Sequence, residues 1–339
     1  AVDDDLEILP DFTNPCPVRK APKQSRPRPG QTHRQALPPP FYELLKKIIT
    51  EDDFAWPRSR TNDYFHWVNP ETGKVERIWS PVLAYLFLFR LEVPVRTIQA
   101  RLLDSGEGDP EIYRPEQGGW VANDGPWAPT PGERRNPQGL IRRLWDNKFG
   151  VFINGLFITT NKTADRNELF LETGYEIPWQ NERILDLFCR LRDWQERYNP
   201  SIGSLSRADL TDKALVVSED LAGRLRKYHF LFRDPASRET PMEPPTAMRI
   251  HGFWLDLLDE LERRLPAEGY TNLEGSRIPI IKTRDEHGHP KSALFDPHSI
   301  RVTGVTRLLE NGVRIEVIQE LVGHATWIMT MHYVKLSPL

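Results

Sequence analysis

The order of apolar and polar positions predicts a mostly helical chain with a small strand region near its middle. After three prolines, residues 41–49 carry apolar side chains at helical spacing, which predicts a helix beginning at Phe41. Segments 81–90 and 95–103 predict a buried helix pair separated by a turn at Pro94. Further amphipathic helices are predicted over 178–194, with Pro178 at the helix start, and over 251–265.

The strand signals are fewer and shorter. Residues 150–160 alternate and are rich in β-branched side chains, the pattern of a strand. A polar turn at 161–166 and a returning strand within 168–177 complete a predicted hairpin, and 277–284 predicts another short strand. Two segments give no regular pattern: 104–136, dense in Gly, Pro and charge, and 200–245, which is polar and interrupted by prolines.

The last forty residues carry the most information. Two helical segments are separated by Asn311-Gly312, a helix-stop signal, and a third begins beyond Gly323-His324. His298 and Arg301 are three residues apart, so on a helix they project from neighbouring positions on one face.

Charge is nearly balanced along the whole chain but not within it. The 339 residues include 45 Lys+Arg and 48 Asp+Glu, a net charge of −3, which argues against a uniformly basic nucleic-acid coat. Residues 1–11 carry five acids, whereas residues 12–42 carry none and hold six cations among many prolines: Arg19, Lys20, Lys23, Arg26, Arg28 and Arg34. Residues 1–40 are therefore an extended arm, acidic and then basic, which is either a solvated linker or a strap along a phosphate backbone.

Other features limit the class of protein. The two cysteines, Cys16 and Cys189, are too few for a disulfide framework and fit a reducing compartment. No run of about 18 apolar residues predicts a membrane span. His287-Gly288-His289 is interpreted as a solvated loop rather than a metal site, because no further ligands stand in register. The absence of an initiator Met predicts a fragment of a longer protein.

The C-terminal constellation resembles the signature of the tyrosine recombinases, also called the phage integrase family. In that family a His-x-x-Arg box, a Gly-His pair and a nucleophilic tyrosine follow at set separations. Here His298 precedes Arg301 by three residues, Arg301 precedes His324 by twenty-three, and His324 precedes Tyr333 by nine. The resemblance extends over residues 80–339 and is strongest after Asp296.

The resemblance implies an arginine and a lysine upstream. The segment Pro94-Val95-Arg96-Thr97-Ile98-Gln99 resembles the family's first arginine box, with Pro94 in place of the usual Gly and Gln99 in place of the usual glutamate. Lys162, between two predicted strands, stands where the family has its hairpin lysine, and Lys148 is the competing choice.

The resemblance also implies the fold. We expect an α+β, mostly helical catalytic domain over 41–339 with a small antiparallel β-sheet or hairpin, enlarged by insertions near 104–140 and 200–245. No core-binding helical domain of the usual kind is recognisable before Arg96.

The implied activity is site-specific DNA recombination without metal, ATP or other cofactor. Tyr333 would attack the phosphate held by Arg96 and Arg301, forming a 3′-phosphotyrosyl link, with Lys162 protonating the 5′-oxygen and His298 and His324 completing the donor set. Implied partners are double-stranded DNA with specific recombination sites, a homo-tetramer and accessory proteins of a mobile element, in the prokaryotic cytoplasm or nucleoid. A catalytically silent DNA-binding regulator and a type IB topoisomerase-like enzyme remain alternatives. A molecule basic on its DNA side would bind less tightly as salt rises.

Overall fold

A computed structural model describes residues 32, 34–130, 132–133, 135–147, 149–160, 174–217, 223, 225–324 and 327–334. Among these residues it contains eight α-helices and four small sheets, and all four sheets are antiparallel. The helices are α1 (Pro39–Ser59), α2 (Val82–Glu92), α3 (Thr97–Arg101), α4 (Glu182–Tyr198), α5 (Ala247–Arg264), α6 (Ser299–Glu310), α7 (Ile315–Val322) and α8 (Trp327–Met331). None of the described helices is long and apolar enough to cross a membrane.

The strands form three hairpins and one three-stranded sheet. The hairpins are β1–β2 (Tyr64–Val68, Val75–Trp79), β3–β4 (Glu111–Arg114, Gly119–Ala122) and β8–β9 (Ile281–Arg284, Pro290–Ala293). The sheet has the order β5 (Ile141–Asp146), β6 (Val151–Ile158), β7 (Tyr175–Ile177). Its register pairs Leu156 of β6 with Ile141 on one side and Ile177 on the other. The fold is thus α+β with small antiparallel sheets, as expected, whereas enlargement by insertions stays a prediction.

Helix α2 lies at the centre of the core because almost every face of it is apolar. Phe87 stacks on both Phe253 and Trp254 of α5, at ring-centroid distances of 5.0 and 5.6 Å. Phe89 meets Phe188 of α4 edge to face at 5.0 Å. A helix that is buried on all sides needs partners on all sides, so α2 fixes the positions of the helices around it.

Several element boundaries differ from the sequence prediction. Helix α4 begins at Glu182 and not at Pro178, because the Asn181 side chain accepts hydrogen bonds from the N–H groups of Arg183 and Ile184 and so caps the helix there. The β3–β4 hairpin occupies part of 104–136, which was predicted as a loop or insertion. The β1–β2 hairpin was not predicted: both strands are short and partly exposed, so their apolar alternation is weak.

Candidate active site

The first arginine box lies in the short connection between α2 and α3. Arg96 has extended backbone angles (φ −69°, ψ 150°) and its N–H donates to Oε1 of Gln99 at 2.9 Å. The Gln99 side chain is fully buried, and its Nε2 donates to the Thr160 carbonyl at 2.9 Å. A glutamate could accept the first hydrogen bond but not donate the second. Gln99 therefore joins the Arg96 backbone to the end of the central sheet.

Arg301 connects three parts of the site through its guanidinium. It lies on α6, is fully buried, and donates from Nη1 to the Pro94 carbonyl at 2.6 Å. Its Nη2 reaches the Val322 carbonyl at 3.1 Å and Nε2 of His324 at 2.7 Å. Burial, followed by the positive charge of Arg96, lowers the pKa of Arg301 to about 10, so it remains a cation at neutral pH.

His324 is held as a neutral imidazole. Because a guanidinium can only donate, Nε2 of His324 accepts from Arg301, and Nδ1 carries the proton that goes to Oγ1 of Thr330 at 3.0 Å. Burial, then the charges of Arg301 and Arg96, lowers the pKa of His324 to about 2. In this arrangement His324 orients Arg301 and links it to α8.

The turn before His324 requires a glycine. Gly323 ends α7 with φ 64°, the left-handed region that side chains disfavour. A Cβ at this position would lie 2.4 Å from Cε1 of Tyr175 on β7. The Tyr175 ring therefore packs directly against the backbone of the Gly-His turn, and no side chain fits between them.

Tyr333 follows α8 and lies over this cluster, half-buried. Its ring stacks on His324 with centroids 5.2 Å apart and planes 11° apart. The centroid of the His298 ring lies at 5.4 Å, and Cζ of Arg301 lies 5.1 Å from the tyrosine ring centroid. The Tyr333 side chain thus lies against three of the other predicted site residues, His298, Arg301 and His324.

His298 precedes the first residue of α6. The Asp296 carboxylate accepts hydrogen bonds from the N–H groups of His298 and Ser299 at 2.8 and 3.2 Å, which caps the helix. Burial, then the charge of Arg301, lowers the pKa of His298 to about 4. The imidazole is therefore neutral at pH 7 and can accept a proton.

The structure brings five of the six predicted residues into one cluster: Arg96, His298, Arg301, His324 and Tyr333. The sixth, Lys162, and the competing Lys148 lie outside the described residues. Sequence reasoning missed Tyr175, Thr330 and the buried Arg90. Arg90 had a signal, a cation within the apolar segment 82–91; Tyr175 had none, because only the fold brings β7 beside α7.

The cluster has an excess of buried positive charge. Within the part of the chain that the structure describes, Nη1 of Arg96 and Nε of Arg301 are buried without a hydrogen-bond partner. Asp296, the acid beside His298, is already paired with Arg34. Unsatisfied guanidinium N–H groups are suited to an oxyanion such as a phosphate. Over the same residues no group of three or more His, Cys, Asp or Glu side chains is placed to hold a metal ion.

Comparison with known proteins gives matches at both ends of the chain. A family profile described as "Putative integrase" matches residues 1–204, more than half of the chain, and one described as "Phage integrase family" matches residues 280–338. The integrase of Haemophilus phage HP1 is 28% identical over 182 residues, which are 53% of this chain and 50% of that protein. The tyrosine recombinase XerC of Pelobacter propionicus is 36% identical over 73 residues, 20% of this chain and 24% of the relative.

Among solved structures, the Tn1549 transposon integrase in complex with transposon right end DNA aligns with 90% of this chain and 62% of that chain, at 15% identity and a TM-score of 0.38. The alignments with the two curated relatives span about half and about a quarter of their lengths. The two family profiles and the curated relatives agree on one assignment. The chain belongs to the tyrosine recombinase/integrase family.

Proposed function

We propose that this protein is a site-specific DNA recombinase, an integrase that cuts and rejoins DNA strands through a covalent link between Tyr333 and a 3′-phosphate. The observation that carries the proposal is the position of Tyr333 over Arg301, a buried arginine with an unsatisfied Nε–H. Beside it lies the half-buried Arg96, whose Nη1 is also unsatisfied. Family membership supports DNA recombination as the general activity. Tyr333, Arg96, Arg301, His298, His324 and Lys162 are the residues to which we assign the chemistry.

In the first step the Tyr333 oxygen attacks the phosphorus of the scissile phosphodiester. A P–O bond to the tyrosine forms, the bond from phosphorus to the 5′-oxygen breaks, and the phenolic proton passes to a base. His298 is suited to be that base, because its imidazole is neutral and lies beside the Tyr333 ring. The 5′-oxygen leaves as a hydroxyl after accepting a proton, and we assign this proton to Lys162.

The charge that develops on the phosphate oxygens needs donors that are already oriented. Arg301 is held by two carbonyl groups and His324, so its guanidinium does not need to reorganise when the phosphate binds. Arg96 adds a second cation beside it. His324 acts here through Arg301, since its Nε2 accepts from the guanidinium and is not free to donate to the phosphate.

The reverse step completes recombination. The phosphotyrosyl bond retains the energy of the original linkage, so a 5′-hydroxyl from another strand can attack it and release Tyr333 without a nucleotide cofactor. This chemistry requires two DNA duplexes that carry recombination sites. The resemblance to the family adds a homo-tetramer and accessory proteins of a mobile element as the proposed partners.

Covalent capture tests the proposal without knowledge of the target site. The protein is incubated with a pool of nicked duplexes of random sequence, in which loss of the short downstream strand makes cleavage irreversible. DNA that remains bound after denaturation is then sequenced. We expect an enriched sequence joined through its 3′-phosphate, and no adduct from Tyr333→Phe.

Tyr85→Phe is the matched control, because Tyr85 packs on Phe54 away from the cluster; this variant should form the adduct normally. Sequence-specific binding without any adduct would overturn the proposal in favour of a silent DNA-binding regulator. Relaxation of supercoiled DNA with no exchange between duplexes would instead indicate a topoisomerase-like enzyme.

A further inference from the structure

Arg90 is a cation in the last turn of α2, the helix at the centre of the core. Its side chain is fully buried, and the eight residues before it, from Val82 to Phe89, are all uncharged. Nothing in the reaction described above uses it. It nevertheless lies near the site, since Arg301, Asp296 and Tyr42 are the charged or ionisable groups that act on its guanidinium.

The hydrogen bonds of Arg90 are incomplete. Its Nη2 donates to the Pro297 carbonyl at 2.6 Å, while Nε and Nη1 are buried with no partner among the described residues. The nearby hydroxyl of Tyr42 donates to the Leu91 carbonyl instead. The acid closest in the chain to Pro297, Asp296, is paired with Arg34.

Such a residue costs stability. Burying a cation that has no ion-pair partner is unfavourable, and an apolar side chain of similar volume is usually tolerated at least as well. The burial is also visible in the pKa of Arg90, which it lowers to about 10. A role in packing alone would not require a guanidinium at this position.

We propose that Arg90 is a positioning residue for the reaction: by holding the Pro297 carbonyl it fixes the turn that places His298 against Tyr333. Pro297 directly precedes His298, and Asp296 holds the other side of the same turn through the His298 and Ser299 N–H groups. The backbone of the turn is thereby held from both sides, which restricts where the His298 side chain can lie. This inference rests on the proposed function, in which His298 receives the tyrosine proton.

Arg90 also influences the charge of His298. The groups that face this imidazole are Arg301 on α6, Arg96 in the first box, Arg90 on α2, Asp296 in the turn and the ring of Tyr333. Three of these are cations, and each opposes protonation of the histidine. Removal of Arg90 should therefore both loosen the turn and make His298 easier to protonate.

Two substitutions separate these effects. Arg90→Met removes the hydrogen bond and the charge, whereas Arg90→Lys keeps the charge and loses the forked donor geometry. The matched control is Arg192→Met on α4. Arg192 is likewise buried, donates to a backbone carbonyl (Tyr113, 2.7 Å) and has an unpartnered Nε, although Glu196 lies 3.8 Å away.

The first readout is the titration of His298, followed by NMR of the histidine ring carbons in the DNA-free protein. A like charge removed from within a few ångströms shifts a pKa by about one unit. We expect a rise of about that size in Arg90→Met, a smaller change in Arg90→Lys and none in Arg192→Met. This measurement does not depend on any activity.

The second readout is the rate of adduct formation with the captured DNA as a function of pH. In Arg90→Met we expect a rate about tenfold lower at pH 7, because a small misplacement of a proton acceptor slows the step. The loss should deepen below pH 5.5, as protonation removes the base. Arg192→Met should keep the wild-type profile.

An unchanged His298 titration together with an unchanged pH profile in Arg90→Met would overturn the inference. An equal, pH-independent loss of rate in Arg90→Met and Arg192→Met, with the His298 titration unchanged, would also overturn it, since that result indicates general destabilisation. If the wild-type chain forms no adduct, the proposed function fails instead, and the NMR titration still decides whether Arg90 controls His298.

Discussion

Two clusters of buried charge in this molecule differ in how their arginines are satisfied. In the cluster built from residues 104–109 and 229–234, Arg233 forms a buried ion pair with Glu107 at 2.6 Å. In the candidate active site, Arg301 and Arg90 donate to backbone carbonyls, and Arg301 also to a histidine. The arginine of the first cluster is neutralised by a carboxylate, whereas the second cluster has spare positive charge.

This difference separates a structural role from a ligand-binding one. An arginine paired with a carboxylate is neutralised by it, and removing the arginine leaves an uncompensated buried negative charge. An arginine held by carbonyls is oriented but not neutralised, so it can still bind an anion. Burial alone would not distinguish the two, because Arg233 and Arg301 are both almost completely buried.

The largest expected effect is on stability, in the cluster that contains the Arg233–Glu107 ion pair. Arg233→Met should lower the free energy of unfolding by about 3 kcal/mol or more, because it leaves Glu107 buried without its partner. Denaturant titration measures this loss. Adduct formation per folded molecule should stay at the wild-type level, and a Glu107→Gln second substitution should recover part of the stability. A loss below about 1 kcal/mol would contradict the contrast between the clusters.

The next effect is on rate, in the candidate active site. Arg301→Lys should slow adduct formation on the order of 10²- to 10³-fold, since loss of one oriented donor costs roughly 3–4 kcal/mol of transition-state stabilisation and lysine cannot reproduce the fork. Quenched single-turnover assays would measure it. The stability should change less than in Arg233→Met, because no acid is left unpaired. A near-normal rate would remove Arg301 from the chemistry.

The smallest effect is on the pH dependence of stability, where the clusters should have opposite signs. His298 and His324 have pKa values lowered in the folded state, so the unfolded chain binds protons first, and acidification from pH 7 to 5 favours unfolding. Burial raises the pKa of Asp104 to about 7, so the folded chain binds that proton first, and stability is lost as pH rises from 5 to 7.

Each group contributes about 1–2 kcal/mol over this interval. Urea titrations at pH 5, 6 and 7 should therefore show that the free energy of unfolding falls less on acidification in His298→Gln than in the wild type. In Asp104→Asn the free energy of unfolding should fall more on acidification than in the wild type. Equal slopes in the two variants would show that the clusters do not differ in this respect.

The sequence predicted the C-terminal part of the site better than the rest, for a physical reason. His298 and Arg301 are three residues apart, so helix geometry alone predicts them side by side. His324 and Tyr333 were predicted to join them because their separations resemble the family signature. Arg96 could be placed only through the resemblance of its box to the family. The hydrogen bond between Gln99 and Thr160 was not predictable, because it joins α3 to the residues just after β6, sixty-one positions further along the chain.

Long-range packing also explains what the sequence missed in the fold. The core helices were predicted because their apolar patterns are strong, as in α2 and α5. Residues 200–245 gave no pattern because their described part is held by isolated bridges and not by regular elements. One bridge joins Phe230 to the distant Asp104, and another joins Leu205 to Tyr228 within the segment. Arg90 could be seen in the sequence as an unusual charge, but its partner Pro297 could not.

The contact between Tyr175 and Gly323 has a consequence for how this chain can evolve. The ring fills the space that any side chain at position 323 would need, so Gly323 cannot gain a side chain while Tyr175 keeps its ring. We expect relatives that carry an aromatic residue at the position of Tyr175 to keep glycine at the position of Gly323, where the left-handed backbone already disfavours a side chain. Tyr175 lies on the central sheet and Gly323 lies beside His324. Changes in the sheet at position 175 are therefore linked to the turn that leads to the nucleophile.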